Sequence, residues 1–271
     1  MAWGNFSAVP CPYHKWHEES RKAMLAMLPL VGMMLAVIVC IVWWLLDLIG
    51  APAILTGAVL TALYFIANGF IHLDGFMDCS DAILSRRPEL EERQRILKAS
   101  DVGAFAVISV MLMSLIFAAS MMTLVEDFSL QRASILVVIM IISRAFGADA
   151  VLRKPPMKTS QYVDLDEAAS LTLEPGEMKK KKAREQSALN LALIIPLLII
   201  FNVFRECSDG LVFTICHIAV ICIVSVVAYG VGAYARKQLG GMNGDIAGYM
   251  IVMSETIGIL SAAILATTLG I

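Results

Sequence analysis

Residues 27–49 read MLPLVGMMLAVIVCIVWWLLDLI, a run in which Asp47 is the only charged side chain. The hydrocarbon core of a bilayer is about 30 Å thick, so a helix needs roughly 20 apolar residues to cross it. The run therefore predicts a membrane-spanning helix. Further apolar runs lie at 51–71, 104–125, 132–152, 188–204, 211–234 and 246–270. Together the runs predict an all-α, polytopic integral membrane helical bundle of about seven transmembrane helices.

The composition agrees with a membrane protein. Of the 271 residues, 59% are hydrophobic and 16% are charged, and the mean hydropathy is +0.77, far more apolar than a soluble domain. The first 26 residues lack the short apolar core of a secretory signal, so we expect the N-terminus to be retained. We expect one transmembrane domain over 1–271, with two connections long enough to carry chemistry, 72–103 and 153–187.

The basic residues predict the orientation of the helices. Of the 21 Lys and Arg residues, 18 lie on one side of the predicted bundle and two on the other. The 18 belong to the N-terminal segment and to the connections 72–103, 153–187 and 235–245, and the two are Arg132 and Arg205. Because cytoplasmic loops are rich in Lys and Arg, this bias predicts a cytoplasmic N-terminus and an external C-terminus. The run from Lys179 to Lys182 fits an orientation signal that contacts lipid headgroups.

Two kinds of function are not expected. The charges are segregated by side rather than pooled in one basic surface, so nucleic acid is not expected as a partner. The six cysteines form no C-x-x-C pair, and three of them lie inside predicted spans. We interpret them as small apolar residues and expect neither a zinc site nor a disulfide framework.

The connection after the second span carries the most informative pattern. Residues 69–87 read GFIHLDGFMDCSDAILSRR, with no helix breaker before Pro88, so we expect the second helix to continue straight into the cytoplasm. On such a helix Asp74, Asp78 and Asp81 fall within a sector of roughly 60°. His72 would lie on the opposite side, so a ligand role for it needs a break in the helix. The sequence therefore predicts one stripe of three carboxylates.

Three carboxylates on one stripe repel one another, so something must compensate for their charge. A hard divalent cation with oxygen ligands, Mg²⁺, is the economical answer, and such a site at a membrane edge suits phosphoryl-group chemistry. The alternative is a solvated acidic face paired with the arginines of the same connection, Arg86, Arg87, Arg93 and Arg95. Gly75 would let a substrate or another helix approach closely.

A second cluster precedes the last span. Residues 240–248 read GGMNGDIAG, and Glu255 follows about three turns along the same helix. Backbone N–H groups of such a loop could bind a phosphate at a helix start, or the glycines could simply form a turn. Arg144 and Glu255 both lie inside spans, where charges nearly always have a partner or a function. A structural ion pair and a substrate contact both remain open.

These motifs resemble the cobalamin synthase family, the adenosylcobinamide-GDP ribazoletransferases. The stretch from Gly69 to Asp81 matches the family core H-L-D-G-F-x-D-x-x-D. Residues 97–105, LKASDVGAF, resemble a K-D-S-x-x-G-A-F segment, and residues 240–255 resemble a G-G-x-T-G-D…G…S-E segment. Val9-Pro10 and Pro29-Leu-Val-Gly32 also fit, so the similarity covers most of the chain in the right order.

The resemblance implies a Mg²⁺-dependent enzyme of the bacterial or archaeal cytoplasmic membrane. It would join adenosylcobinamide-GDP to α-ribazole or its 5′-phosphate, giving adenosylcobalamin or its phosphate and releasing GMP. Asp74, Asp78 and Asp81 are the implied metal ligands and, with Lys98, the catalytic residues. The implied substrate-binding residues are His72, Gly75, Ser100, Gly103, Gly241, Gly244, Asp245 and Glu255. Arg144 is a further substrate-binding candidate because of its charge within a span. Association with other corrinoid-pathway enzymes is a further expectation for which the sequence identifies no docking surface.

Four positions depart from the family pattern. The family commonly has Asp where this chain has Ala99 and a basic residue where it has Asp101. Asn243 stands where Thr is usual, and Ala82 stands where Gly is frequent. Two explanations for Asp101 remain open: it replaces the missing acid from a shifted loop, or the enzyme is slower.

Two other functions were compared with the transferase. A CDP-alcohol phosphotransferase also uses membrane-edge aspartates with Mg²⁺, but its motif needs an Ala-Arg pair where this chain has Cys79-Ser80. An ion-coupled transporter could use the aspartates and Arg144, but its acids should lie near the membrane midplane and its halves are often paired. The sequence favours the transferase over both.

Overall fold

The computed structural model describes residues 1–12, 17, 20–162 and 210–270. Over these residues the chain forms ten α-helices and one isolated parallel bridge between Pro156 and Met242. The helices are α1 Ala2–Phe6, α2 Arg21–Ala26, α3 Leu28–Leu48, α4 Ala53–Ala67, α5 Ile71–Leu84, α6 Leu90–Leu97, α7 Ala104–Leu124, α8 Leu130–Arg153, α9 Gly210–Leu239 and α10 Gly244–Leu269. The predicted all-α class is confirmed.

Five helices, α3, α7, α8, α9 and α10, are long and apolar enough to cross a membrane. The bent pair α4 and α5 makes a sixth if it counts as one span. The part of the chain that the structure describes therefore holds five to six candidate spans of a multi-pass membrane protein. The predicted span 188–204 and the basic run from Lys179 to Lys182 lie outside the described residues.

The α4–α5 corner corrects one prediction. The second helix does not continue straight: α4 and α5 meet at 87°. Gly69, with φ +63°, ends α4 in the left-handed conformation, and its N–H donates to the Ile66 carbonyl oxygen at 2.9 Å. The Phe70 N–H donates to the Phe65 carbonyl oxygen at 3.2 Å. These two bonds form a Schellman cap, which satisfies the last carbonyls of α4 and lets the chain turn.

Helix α10 lies at the centre of the bundle and packs against α5, α7, α8 and α9. Its first turn is capped by Asn243, whose side-chain oxygen accepts a hydrogen bond from the Ile246 N–H at 2.9 Å. Glycines allow its closest approaches. A Cβ added at Gly248 would stand 2.9 Å from the His72 carbonyl oxygen, and one added at Gly258 would stand 2.7 Å from the Val224 side chain. Close packing of α10 on α5 and α9 follows from these small residues.

Several connections meet at one end of the bundle. Gln94 donates to the Leu239 carbonyl oxygen at 2.7 Å, which ties α6 to the end of α9. The Met157 N–H donates to the Met242 carbonyl oxygen at 2.9 Å, which ties the segment after α8 to the start of α10. Arg21 donates to the Gln161 carbonyl oxygen at 2.7 Å. The N-terminal segment, 72–103, 153–162 and 239–245 thus share one end, as the predicted topology requires; which compartment that end faces stays a prediction.

Candidate active site

The three predicted aspartates share one helix. Asp74, Asp78 and Asp81 all lie on α5, where Asp74 is exposed and the other two are half-buried. They line a small pocket together with Asp101 and Gly103 from the α6–α7 connection. A Cβ at Gly103 would overlap the Asp81 carboxylate, so glycine lets that carboxylate lie against the backbone. The bend between α4 and α5 lies before Asp74, so the three carboxylates remain on one helix.

The second sequence cluster joins the first through helix packing. A Cβ added at Gly75 would stand 2.8 Å from both the Cα and the carbonyl oxygen of Asp245. Of the two neighbours expected at Gly75, a helix and a substrate, the structure therefore shows a helix. This contact brings the Asp245 carboxylate to the stripe, 164 positions away in the chain from Asp81. We call Asp74, Asp78, Asp81, Asp101 and Asp245 the acidic cluster.

The acidic cluster is electrostatically crowded. Helix α5 has 14 residues, too few to cross a bilayer alone, and Asp78 lies in its middle. Burial, and then the charges of Asp74, Asp245 and Asp81, raise the pKa of Asp78 to about 6. Burial and the neighbouring carboxylates therefore disfavour the ionised form of Asp78, and a bound cation would stabilise that form.

Whether the acidic cluster can hold a divalent cation depends on its oxygen ligands and on the distances between them. No three His, Cys, Asp or Glu side chains among residues 1–12, 17, 20–162 and 210–270 are gathered closely enough to hold an ion alone. Mg²⁺ is usually bound by one or two carboxylates, with water and substrate phosphates completing its shell. The oxygen donors of the acidic cluster fit that mode of binding. Simultaneous ligation by Asp74, Asp78 and Asp81 stays a prediction.

The glycine loop before α10 has mainly structural contacts. A Cβ at Gly241 would stand 2.7 Å from the Met157 backbone nitrogen, so glycine is needed where this loop meets the segment after α8. A Cβ at Gly244 would stand 3.1 Å from the Gln161 side chain. The Asn243 amide donates to Asp245 at 2.5 Å, which orients that carboxylate. Substrate binding by Gly241 and Gly244 stays a prediction.

Lys98 and Ser100 lie apart from this arrangement. Both are exposed on the α6–α7 connection, and neither lines the pocket formed by the aspartates, although Asp101 does. Their predicted catalytic and substrate-binding roles stay predictions. Asp101 is a pocket residue that the sequence analysis does not assign to the site. The sequence feature that could have indicated it is the acid at position 101, where the family commonly has a basic residue.

Arg144 and Glu255 form an ion pair inside the bundle, and both are 0% exposed. Glu255 also accepts hydrogen bonds from Ser143 and from the Tyr64 hydroxyl. The Arg144 guanidinium donates to the Asn68 side-chain oxygen at 2.7 Å, and Asn68 ends α4 at the corner. Of the two alternatives, the structure shows the ion pair. Through Asn68 the pair links α8 and α10 to the bend between α4 and α5.

Two details complete the buried network. A Cβ at Gly32 would stand 2.5 Å from the Arg144 side chain and 2.6 Å from the Met140 carbonyl oxygen, so glycine on α3 makes room for the arginine. His72 is buried on α5, packs against Gly248, and its Nε2 has no hydrogen-bond partner in the described part of the chain. His72 is thus buried and does not line the pocket formed by the aspartates, so its predicted substrate role stays a prediction.

Comparison with known proteins decides the family. The family described as cobalamin-5-phosphate synthase matches residues 1–263. The chain belongs to this family. Cobalamin-5-phosphate synthases are enzymes, so the protein is a transferase of cobalamin biosynthesis in a multi-pass membrane setting.

Curated relatives of the cobalamin-5-phosphate synthase family cover nearly the whole chain. An adenosylcobinamide-GDP ribazoletransferase of Clostridium perfringens strain 13 is 31% identical over 98% of this chain and 96% of its own length. That of Clostridium botulinum Alaska E43 is 31% identical over 97% of this chain and 96% of its own length. That of Lachnoclostridium phytofermentans is 26% identical over 97% and 92%. No solved structure matches.

One departure from the cobalamin-5-phosphate synthase pattern now has a physical explanation. Asn243 replaces the usual Thr at the N-cap of α10, and both residue types cap helices well. For the missing acid at Ala99, the structure places Asp101 in the pocket with Asp74, Asp78 and Asp81. This arrangement favours replacement from a shifted position, the first of the two explanations left open by the sequence.

Proposed function

We propose that the protein joins adenosylcobinamide-GDP to α-ribazole, or to its 5′-phosphate, in a Mg²⁺-dependent transfer that releases GMP. The product is adenosylcobalamin or its 5′-phosphate. The observation that carries the proposal is the meeting of Asp245 with the α5 stripe, because it unites the two motifs of the family in one site. A site of carboxylates alone suits a substrate that arrives with metal-bound phosphates.

The acidic cluster supplies the groups that the reaction needs. Asp74, Asp78 and Asp81, with Asp245 beside them, would hold Mg²⁺, and the ion would supply charge neutralisation for the pyrophosphate and the departing GMP. A hydroxyl oxygen of the acceptor bonds to the phosphorus that carries cobinamide. The bond from that phosphorus to the oxygen shared with GMP breaks, and GMP leaves with the electron pair. The hydroxyl proton passes to a carboxylate of the acidic cluster.

The buried network has a supporting role in this proposal. Arg144, Glu255 and Asn68 hold the corner between α4 and α5, and the corner fixes the direction in which α5 presents its aspartates. Gly75 and Gly248 then set the distance of α10 from α5. Rigid positioning of this kind matters because small displacements of catalytic groups cost much of the rate.

We place the site on the cytoplasmic face of a bacterial or archaeal cell membrane. The Lys and Arg bias supports this side, and the acidic cluster lies at the end where the basic connections meet.

The test is an assay of the purified full chain in detergent with adenosylcobinamide-GDP, α-ribazole and Mg²⁺. The proposal predicts one GMP and one joined corrinoid product per turnover, both identified by mass. A parallel reaction with CDP-diacylglycerol and an alcohol acceptor tests the other phosphotransferase class and should give no product. Absence of GMP release under conditions where the Clostridium perfringens relative is active would overturn the proposal.

A further inference from the structure

A second pocket lies between the N-terminal segment and the α4–α5 corner. Its volume is about 420 Å³, and its polar or aromatic lining residues are Asn5, Ser7, Asn68, Phe70 and Asp74. The N-terminal segment is fixed there because the Ala8 N–H donates to the Ala67 carbonyl oxygen at 2.9 Å. Pockets for small ligands measure roughly 300–1,000 Å³, so this one can hold a nucleoside.

Phe70 has an uncommon conformation at the rim of this pocket. Its φ of 59° and ψ of 2° lie in the left-handed region, which a bulky side chain rarely adopts. Such strain persists only where the surroundings enforce it, and it is concentrated at ligand-binding positions. Phe70 follows Gly69, which is also left-handed, so two consecutive left-handed residues turn the chain from α4 into α5. The result is an aromatic ring that is 52% exposed and lines the pocket.

The polar groups of the pocket suit an uncharged, hydrogen-bonding ligand. The Asn5 side chain forms no hydrogen bond with another described residue, so its amide is available to a ligand. Among the described lining residues Asp74 is the only charged one. An aromatic ring, a free amide and one carboxylate together match a planar base attached to a sugar with hydroxyl groups.

We propose that this pocket binds the nucleoside acceptor of the transfer, with its planar base stacked on Phe70 and its reacting hydroxyl beside Asp74. This inference rests on the proposed function and names the place of one of its two substrates. It assigns Phe70 and Asn5 to acceptor binding.

The two pockets favour the acceptor over the nucleotide donor as the occupant. Asp74 lines both the pocket at Phe70 and the pocket formed by Asp78, Asp81 and Asp101. The pyrophosphate of the donor needs the carboxylate-rich pocket, because a cation can be held there. In phosphoryl transfer the attacking and leaving oxygens lie roughly in line on opposite sides of the phosphorus. Because Asp74 lines both pockets, an acceptor bound at Phe70 would be next to a pyrophosphate held in the carboxylate-rich pocket.

A different explanation for an exposed aromatic ring is an interfacial anchor in the lipid headgroups. That role would place Phe70 in contact with lipid and give it no effect on substrate affinity. The two explanations therefore differ in a measurable quantity, the KM for the acceptor.

The experiment compares the KM values for α-ribazole and adenosylcobinamide-GDP in four purified full-chain variants. Phe70→Gly removes the ring and suits the left-handed backbone, so folding is preserved. Phe70→Leu removes the aromatic face, and Phe70→Tyr restores it. Tyr229→Leu is the matched control, because Tyr229 is 62% exposed on α9 and distant in sequence from both pockets.

Loss of a base–aromatic stacking contact is worth roughly five- to 100-fold in affinity. We expect an increase of that size in the KM for α-ribazole with Phe70→Gly and Phe70→Leu, and an unchanged KM for the donor. Phe70→Tyr, which keeps an aromatic face, should recover most of the affinity lost in Phe70→Leu, and Tyr229→Leu should match the wild type. Direct binding of α-ribazole, followed by its benzimidazole fluorescence, should weaken in the same two variants.

Two results would overturn the inference while the proposed function stands: active variants whose KM for α-ribazole is unchanged, or an increase confined to the KM for the donor. The second result would assign the pocket to the guanosine end of the donor. Failure of the wild type to form product from these substrates would instead count against the proposed function itself.

Discussion

Gly75 of α5 lies directly against the backbone of Asp245 at the start of α10. A Cβ at this glycine would stand 2.8 Å from two backbone atoms of Asp245, which cannot move aside as a flexible side chain would. The contact is the point where the two family motifs meet. It makes the assembly of the acidic cluster depend on one missing methyl group.

We therefore expect Gly75→Ala to separate α5 from α10. Overpacking of this kind costs about 1–3 kcal/mol, and the displaced Asp245 should lower kcat/KM by roughly 100-fold if it loses its place in the site. Gly230→Ala on α9 is the control, because nothing lies within 4 Å of a Cβ there. Thermal unfolding in detergent and the GMP-release assay check both variants. Equal activity of Gly75→Ala and Gly230→Ala would show that the contact is unimportant.

Asp78→Asn should abolish turnover while the protein still inserts in the membrane. The substitution keeps the size of the side chain and removes the charge that the surrounding carboxylates already disfavour. Loss of one electrostatic group at a site of developing charge typically costs 10²–10³-fold in kcat, or about 3–4 kcal/mol. Membrane fractionation confirms insertion, and the thermal stability should be equal to or above that of the wild type because repulsion is relieved. Near-normal turnover would move the metal site elsewhere.

Breaking the Arg144–Glu255 pair should destabilise the bundle. Removing one partner of a buried ion pair costs about 3–5 kcal/mol, because the other charge is left uncompensated. We expect Arg144→Met and Glu255→Gln each to lower the melting temperature in detergent, and the double variant to recover much of the loss. If the double variant is no more stable than the two single variants, the pair is not the main contribution of these residues.

Asp101→Asn should weaken the apparent Mg²⁺ affinity by roughly tenfold or more, as observed when groups next to a metal site are changed. Adding Ala99→Asp to this variant restores the usual acid of the family and should recover part of the affinity. A Mg²⁺ titration of GMP release measures both effects. An unchanged titration curve for Asp101→Asn would assign this residue to the surface rather than to the site.

The sequence predicts the spanning helices well because their signal is local. The apolar runs at 27–49, 104–125 and 132–152 agree with α3, α7 and α8 to within two residues at each end. The 69–87 segment shows the limit of that approach. Its apolar periodicity runs through the corner, whereas the Asn68-Gly69 pair, a turn signal by composition, decides where α4 ends.

The site needed the tertiary structure for a different reason. The spacing of Asp74, Asp78 and Asp81 already predicts one stripe, but the approach of Asp245 depends on the absence of a side chain at Gly75. The contact of Arg144 with Asn68 likewise depends on space left by Gly32. Contacts of this kind join residues far apart in the chain, so no local pattern contains them.

The most direct test of the central claim is GMP release from adenosylcobinamide-GDP and α-ribazole by the purified chain, measured with Mg²⁺, after EDTA treatment, and after Mg²⁺ is restored. The account predicts stoichiometric GMP and joined corrinoid with Mg²⁺, loss of both with EDTA, and full recovery. Product formation at the same rate in EDTA, or at a near-normal rate in Asp78→Asn, would contradict a metal-assisted transfer at the acidic cluster.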